Sequence, residues 1–94
     1  MSYQVKLTVH VSKAAIKLPP ETKKAAREAL RLLAENPELG KELQAELAGF
    51  RSYRFLRYRI FYKVAPEKKV IVVWALGHRK DIYENFSEQL VGKK

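Results

Sequence analysis

Apolar and polar residues alternate at the start of the chain. Tyr3, Val5, Leu7, Val9 and Val11 are separated by Gln4, Lys6, Thr8 and His10. Successive side chains of a strand point to opposite faces of the sheet. The alternation therefore predicts a half-buried first strand over Tyr3–Val11. His10 falls on its polar side, and nothing in the sequence gives it a role.

Helical spacing follows this strand. Ser12 is predicted to cap a short helix through Leu18, and a second helix begins at Pro20, where a first-turn proline is well tolerated. Ala26, Ala29, Leu30 and Leu33 form its apolar stripe. Asn36-Pro37 ends it, because the residue before a proline disfavours helical backbone. Three leucines at a spacing of four residues predict a third, short helical stretch or turn over Leu39–Leu47.

Three strands and a helix complete the pattern. The strands are predicted over Arg51–Leu56, Tyr58–Ala65 and Val70–Leu76, with a tight turn near Leu56-Arg57 and another over Pro66–Lys69. A final amphipathic helix contains Ile82, Tyr83, Phe86 and Leu90. The order β-α-α-β-β-β-α predicts one small α+β domain over residues 1–94. We expect an antiparallel-rich four-stranded sheet with an N-terminal helical hairpin on one face.

Positive charge is concentrated in these strands. The chain has 19 Lys/Arg and 10 Asp/Glu, and the stretch from Arg51 to Lys80 holds nine of the basic residues but one acid, Glu67. Arg59 and Lys63 alternate with apolar Ile60 and Val64, so we expect the two cations on the sheet face that the helices leave open. A basic surface on a sheet suggests a polyanion partner, with RNA or DNA the first candidates. Trp74, Phe55 and Tyr62 are predicted to lie in the core.

Composition excludes several classes of protein. The chain has no cysteine and two histidines, so the sequence predicts no metal site and no cofactor. It shows no signal peptide and no apolar run long enough for a membrane span, and we expect a cytoplasmic protein without a membrane partner.

From Leu43 to Tyr83 the sequence reads LQAELAGFRSYRFLRYRIFYKVAPEKKVIVVWALGHRKDIY. A leucine, a spacer, "YR", a turn, "YRI.Y", a β-turn, an apolar strand and "GHRKDIY" in this order resemble the RelE/ParE superfamily of bacterial and archaeal toxins. The upstream strand and helical pair resemble the same family, so the likeness covers nearly the whole chain.

The resemblance implies a type II toxin that is neutralised by an acidic, RelB-like antitoxin. RelE-like members enter the ribosomal A site and cut mRNA without a metal, through attack of the message's own 2′-hydroxyl on the adjacent phosphate. The catalytic residues of this family include an arginine in the "YRI.Y" strand, an arginine after the last strand and a tyrosine near the C-terminal end. Matched one residue at a time, they correspond to Arg59, Arg79 and Tyr83. Arg51 and Arg54 match the family's first-strand basic pair approximately.

The resemblance does not identify the general base that would accept the proton of the 2′-hydroxyl. RelE has lysines where this chain has arginines, and a guanidinium, which stays protonated throughout the physiological pH range, is a poor base. The candidates are His78, because histidine is the residue type most often used for proton transfer, and Tyr83. The candidate catalytic residues are Arg54, Arg59, His78, Arg79 and Tyr83. The candidate RNA-binding residues are Arg51, Arg57, Lys63 and Lys80.

Two other functions remain open at this point. A ParE-type toxin shares the pattern but inhibits DNA gyrase without a catalytic residue. A plain RNA- or DNA-binding module is the third possibility, although no signature of a known nucleic-acid-binding module supports it. In either toxin class, the apolar stripe of the last helix (Ile82, Phe86 and Leu90) is where we expect a helix of the antitoxin to compete.

Overall fold

The computed structural model describes residues 2–78 and 82, and residues 2–78 form a five-stranded mixed sheet and two α-helices. The elements are β1 (Gln4–Leu7), α1 (Val9–Ile16), α2 (Pro20–Glu35), β2 (Lys41–Glu42), β3 (Arg51–Phe55), β4 (Tyr58–Ala65) and β5 (Val70–His78). Single 3₁₀ turns over Pro37–Leu39 and Ala45–Leu47 flank β2. The α+β class and strands β3 to β5 agree with the sequence prediction.

The strand order across the sheet is β1-β5-β4-β3-β2. β1 runs parallel to β5, and the other neighbouring pairs are antiparallel. The sheet is antiparallel-rich, as expected, but the predicted number of four strands is wrong. The additional strand, β2, is a two-residue edge strand that pairs with the first residues of β3.

The first helix begins earlier than predicted. β1 ends at Leu7, and the Thr8 side chain accepts a hydrogen bond of 3.2 Å from the Val11 amide at the start of α1. The predictions of a strand through Val11 and a cap at Ser12 are therefore wrong. Val9 and Val11 continue the alternation of β1 by coincidence, while the capping bond of Thr8 decides the local backbone.

The segment after α2 is not a continuous third helix, although the 3₁₀ turn over Ala45–Leu47 agrees with the alternative prediction of a turn. Gly40 is buried, its amide donates a hydrogen bond of 2.9 Å to the Tyr62 hydroxyl, and that hydroxyl donates at 2.6 Å to the Pro37 carbonyl. A Cβ atom at Gly40 would lie 2.5 Å from the Tyr62 hydroxyl oxygen. These contacts hold the Gly40 backbone extended and direct the chain into β2, so Leu39–Leu47 forms no continuous α-helix.

The helical hairpin packs on one sheet face, as predicted. Its buried residues meet those of β3, β4 and β5 in one core cluster: Val11, Ala26, Ala29, Leu33, Phe55, Ile60, Tyr62, Ile71 and Val73. α2 spans Pro20–Glu35, in agreement with the predicted start and end. Among the residues described, no helix is both long and apolar enough to cross a membrane.

The opposite sheet face is not entirely open. Leu47, Phe50, Phe61, Ala75 and Ile82 form a second buried cluster there. Chain from the 3₁₀ turn and the residues before β3 therefore covers part of the surface that we expected to face solvent. Ile82 is helical, and the rest of the predicted final helix, including Tyr83, Phe86 and Leu90, lies outside the described residues.

Candidate nucleic-acid interface

Two arginines face each other on the sheet surface opposite the helices. Arg54 of β3 is the direct register partner of Arg59 of β4. Directly opposed residues have Cβ atoms about 4.5–5.5 Å apart, and like charges at this spacing repel each other. An anion bound between the two guanidiniums would remove the repulsion. We call the surface formed by Arg54, Arg59 and Lys63 the basic face.

Ser52 holds one of these arginines in place. The Arg59 guanidinium donates a hydrogen bond of 3.2 Å to the hydroxyl of Ser52, a residue that is only 5% exposed. Arg59 is half-buried, whereas Arg54 is exposed. Both line an open depression of about 510 Å³ at the β2 edge of the sheet. The arrangement offers one fixed and one adjustable guanidinium, a combination suited to phosphate.

Lys63 extends the basic face along β4. Its side chain is exposed, and its ammonium lies 5.0 Å from the centroid of the Phe50 ring. A cation over an aromatic face is attracted by the ring quadrupole. Phe50 belongs to the second buried cluster, so an apolar contact orients this cation at the surface.

Arg51 and Arg57 differ from the cations of the basic face. The Arg51 guanidinium donates to the Gly40 carbonyl at 2.6 Å and lies 3.5 Å from the Glu42 carboxylate, so it connects β3 to β2. Arg57 is exposed in the turn between β3 and β4, beside Leu56, whose φ is +53°. RNA binding by these two arginines and by Lys63 remains a prediction.

His78 lies on the other side of the sheet from the arginine pair. Its register partner is Tyr58, and the two rings meet edge to face with centroids 5.4 Å apart. Tyr58 packs against the helix-side core, while the next residue, Arg59, points away from it. The structure therefore brings Arg54, Arg59 and Lys63 to one face but does not bring His78 to them. Arg79, Lys80 and Tyr83 lie outside the described residues, and their roles remain predictions.

Two residues of this surface were missed by sequence reasoning. Ser52 alternates with Arg54 on β3, a signal that the sequence did contain. Trp74 was expected in the core but is 37% exposed and meets Phe50 edge-on, with ring centroids 6.0 Å apart. Trp74 lies at an irregularity in the pairing of β5 with β4 that no sequence pattern predicts. Phe55 and Tyr62 are buried, as predicted.

Comparison with known sequences places these features in a family. The profile of a family described as "ParE toxin of type II toxin-antitoxin system, parDE" matches residues 6–83. Toxin RelG of Mycobacterium tuberculosis is 38% identical over 85 residues, which cover 88% of this chain and 98% of that protein.

Solved structures agree with the sequence comparison. A structure of the toxin-antitoxin complex RelBE2 from Mycobacterium tuberculosis contains a chain with a TM-score of 0.78 and 34% identity, covering 84% of this chain and 100% of that one. A double arginine-to-alanine variant of Escherichia coli RelE, solved in the free state, has a TM-score of 0.79 and 21% identity over the whole of both chains, which supports the fold alone. The protein belongs to the RelE/ParE superfamily of type II toxin-antitoxin toxins.

Proposed function

We propose that this toxin is an endoribonuclease that cuts mRNA in the ribosomal A site and so inhibits translation. The observation that carries the proposal is the opposed pair of Arg54 and Arg59, with Arg59 held on the buried Ser52 hydroxyl. Preorganised cations aimed at developing charge are the largest single source of stabilisation in many enzymes. This pair provides such a site on an accessible sheet face.

The proposed reaction needs no group beyond the RNA and the protein. The 2′-hydroxyl oxygen attacks the adjacent phosphorus, its proton passes to a base, and a pentacovalent phosphorane forms. The bond from phosphorus to the 5′-oxygen then breaks and that oxygen takes up a proton, leaving a 2′,3′-cyclic phosphate and a 5′-hydroxyl. Arg54 and Arg59 stabilise the charge that accumulates on the phosphorane oxygens.

Proton transfer is assigned to residues near the end of β5. His78 and Tyr83 are the candidates from the sequence. The pairing of His78 with Tyr58 directs its ring away from Arg59, which favours Tyr83 as the group that moves a proton at the phosphate. The two are separated by comparing His78→Gln with Tyr83→Phe, and we expect the larger loss of cleavage rate from Tyr83→Phe.

Binding to the ribosome and to an antitoxin completes the proposal. The formal net charge of +9 favours association with ribosomal RNA and the message, and it also favours an acidic, RelB-like antitoxin. Relatives from Mycobacterium tuberculosis and Pyrococcus horikoshii have been solved as toxin-antitoxin and RelE-RelB complexes. We propose the same kind of partner for this chain.

The test is cleavage of translated messages by variants of the arginine pair. Loss of one oriented donor typically costs 10²- to 10³-fold in rate, so Arg59→Ala and Arg54→Ala should each reduce cleavage by about that factor in a translating extract, read by primer extension. Lys24→Ala is the matched control, since it removes one exposed positive charge from α2. Full cleavage by Arg59→Ala, or an equal loss in Lys24→Ala, would refute the proposal.

Inhibition of DNA gyrase is the second candidate, because the family profile that matches is that of a ParE toxin. The same expression experiment separates the two functions. Gyrase-dependent DNA breaks alongside intact messages would establish the second function. In that case, substitutions of Arg54 and Arg59 should affect gyrase inhibition only through the loss of positive charge.

A further inference from the structure

Trp74 is the one tryptophan of the chain, and a bulge in β5 determines where it lies. Across the β4–β5 pair, Phe61 is opposite Ala75 and Tyr62 is opposite Val73, so Trp74 is an extra residue without a register partner. Val73 belongs to the helix-side core and Ala75 to the second cluster. A bulge of this kind redirects a side chain, and such irregularities often occur beside functional sites.

The bulge places Trp74 on the same side of the sheet as the basic face. Its indole meets Phe50 edge to face at an interplanar angle of 89°. Lys63 lies over that same Phe50 ring, so one buried phenylalanine contacts both an exposed aromatic ring and an exposed ammonium. A large aromatic side chain that stays 37% exposed despite this contact is available to a ligand.

The arginine pair is close enough to act with this ring. Arg59 is opposite Gly77, three positions along β5 from Trp74. At a rise of about 3.3 Å per residue, shortened by the bulge, the two lie roughly 7–10 Å apart along the strand. Neighbouring nucleotides of one strand bridge a separation of this size, with a phosphate at the guanidinium and a base at the ring.

We propose that Trp74 is a stacking platform for one unpaired base of an RNA strand whose phosphates contact Arg59 and Lys63. The proposal rests on the RNA-binding function argued above and specifies its ligand as single-stranded RNA, because a base within a duplex has no free face to stack on the indole. Stacking on an aromatic ring tolerates all four bases, so the platform adds affinity with little sequence preference.

The experiment uses Trp74 as its own reporter. A short 2′-O-methyl oligoribonucleotide, which cannot be cut by 2′-hydroxyl attack, carries a fluorophore and is titrated into the full chain. Anisotropy of the fluorophore reports binding, and emission of the single tryptophan reports contact with the ring. We expect both signals to change with the same midpoint.

Three variants separate stacking from charge. Trp74→Leu should weaken binding by about 5- to 150-fold, the range given by the loss of one aromatic stacking contact, and should leave the salt dependence unchanged. Trp74→Phe retains a ring and should recover most of that loss. Lys63→Ala should instead reduce the slope of log affinity against log salt by about 0.7, the value for one phosphate contact on a single strand.

The outcomes distinguish this proposal from the one on which it rests. Binding by anisotropy with unchanged tryptophan emission, or equal affinity of Trp74→Leu and wild type, would overturn the platform but leave RNA binding intact. No binding by anisotropy would refute RNA binding itself, and the platform with it. Tryptophan quenching by an acidic peptide but not by the oligonucleotide would assign the ring to a protein partner and would also overturn the proposal.

Discussion

Removal of the Tyr62 hydroxyl should destabilise the fold far more than its single oxygen atom suggests. The side chain is fully buried, and its hydroxyl accepts from the Gly40 amide at 2.9 Å and donates to the Pro37 carbonyl at 2.6 Å. Tyr62→Phe keeps the ring and removes both bonds. It leaves a buried amide and a partly buried carbonyl at the point where the chain enters β2.

The magnitude follows from these two groups. An unsatisfied buried donor or acceptor costs about 1–3 kcal/mol. Because the Pro37 carbonyl is only partly buried, the two groups together predict a loss of about 2–4 kcal/mol in the free energy of unfolding. For a domain of this size each kcal/mol shifts Tm by about 4–8 °C. We therefore expect Tm to fall by about 8–32 °C, because a loss of this size is a large part of the stability of a small domain.

Urea denaturation followed by circular dichroism measures the change. The midpoint should fall with no change in the denaturant slope, since the folded state buries the same surface. Tyr53→Phe is the matched control, because it removes a hydroxyl from the neighbouring strand without removing a bond to Gly40 or Pro37. Equal losses in the two variants would refute the assignment of the cost to the Tyr62 hydrogen bonds.

The same hydroxyl also predicts a pH dependence. Burial raises the pKa of the Tyr62 phenol above its ordinary value of 10.0, an effect that the Gly40 hydrogen bond and the nearby Arg51 charge partly oppose. Because the folded-state pKa is the higher one, the phenol contributes its full stability below about pH 10 and loses it as the pH rises through the folded-state pKa. Wild type should lose stability above pH 10 more steeply than Tyr62→Phe, and parallel curves would contradict this reasoning.

Three further changes test the turns and the β2 edge, all by urea denaturation. Leu56→Asn should stabilise the protein by about 1 kcal/mol, because Leu56 has a φ of +53° in an exposed turn and asparagine tolerates this conformation better; an unchanged midpoint would contradict this. Gly40→Ala should cost at least as much as Tyr62→Phe, since its Cβ would lie 2.5 Å from the Tyr62 hydroxyl oxygen. The Gly40→Ala/Tyr62→Phe double variant should lose less than the sum of the two changes, and additive losses would refute the clash. Arg51→Met should cost about 1.5–3 kcal/mol through its bond to the Gly40 carbonyl and should weaken RNA binding less than Arg54→Ala; the reverse ranking would make Arg51 a ligand-binding residue.

The elements that the sequence predicted correctly have strong local signals. β4 alternates through its length, and the turn over Pro66–Lys69 separates it from an almost wholly apolar β5. α2 begins at a proline and ends before another. In each case the hydrophobic period and the turn residues predict the same structure, and the tertiary contacts agree with these local signals.

The missed strand β2 depends on contacts distant in sequence. β2 forms because Tyr62, on another strand, holds Gly40 extended. Leucine spacing over Leu39–Leu47 carries no information about that bond.

The start of α1 was misplaced for a local reason. Thr8 and Ser12 are both acceptable caps, and the capping hydrogen bond from the Val11 amide goes to Thr8.

The sequence predicted which sheet face carries the positive charge of the candidate site, but it did not predict the positions of His78 and Trp74. Alternation placed Arg59 and Lys63 on the face away from the helices, and the register then paired Arg59 with Arg54. The sequence could not place His78 on the opposite side, because its position follows from pairing with Tyr58. The exposure of Trp74 depends on a bulge in β5. Because nearly all residues of β5 are apolar, the one extra residue of the bulge changes no visible pattern in the sequence.

The parallel pairing of β1 with β5 has a consequence for synthesis of the toxin. Gln4 is aligned with Val70, so the first strand finds its neighbour only after nearly all of the described chain has been made. Such distant pairing makes folding slow and prevents completion of the sheet on a partial chain. A nascent chain still lacking β5 cannot complete the sheet that supports the basic face. The basic face of this toxin is therefore completed only after the β5 codons have been translated, late in the synthesis of the described chain.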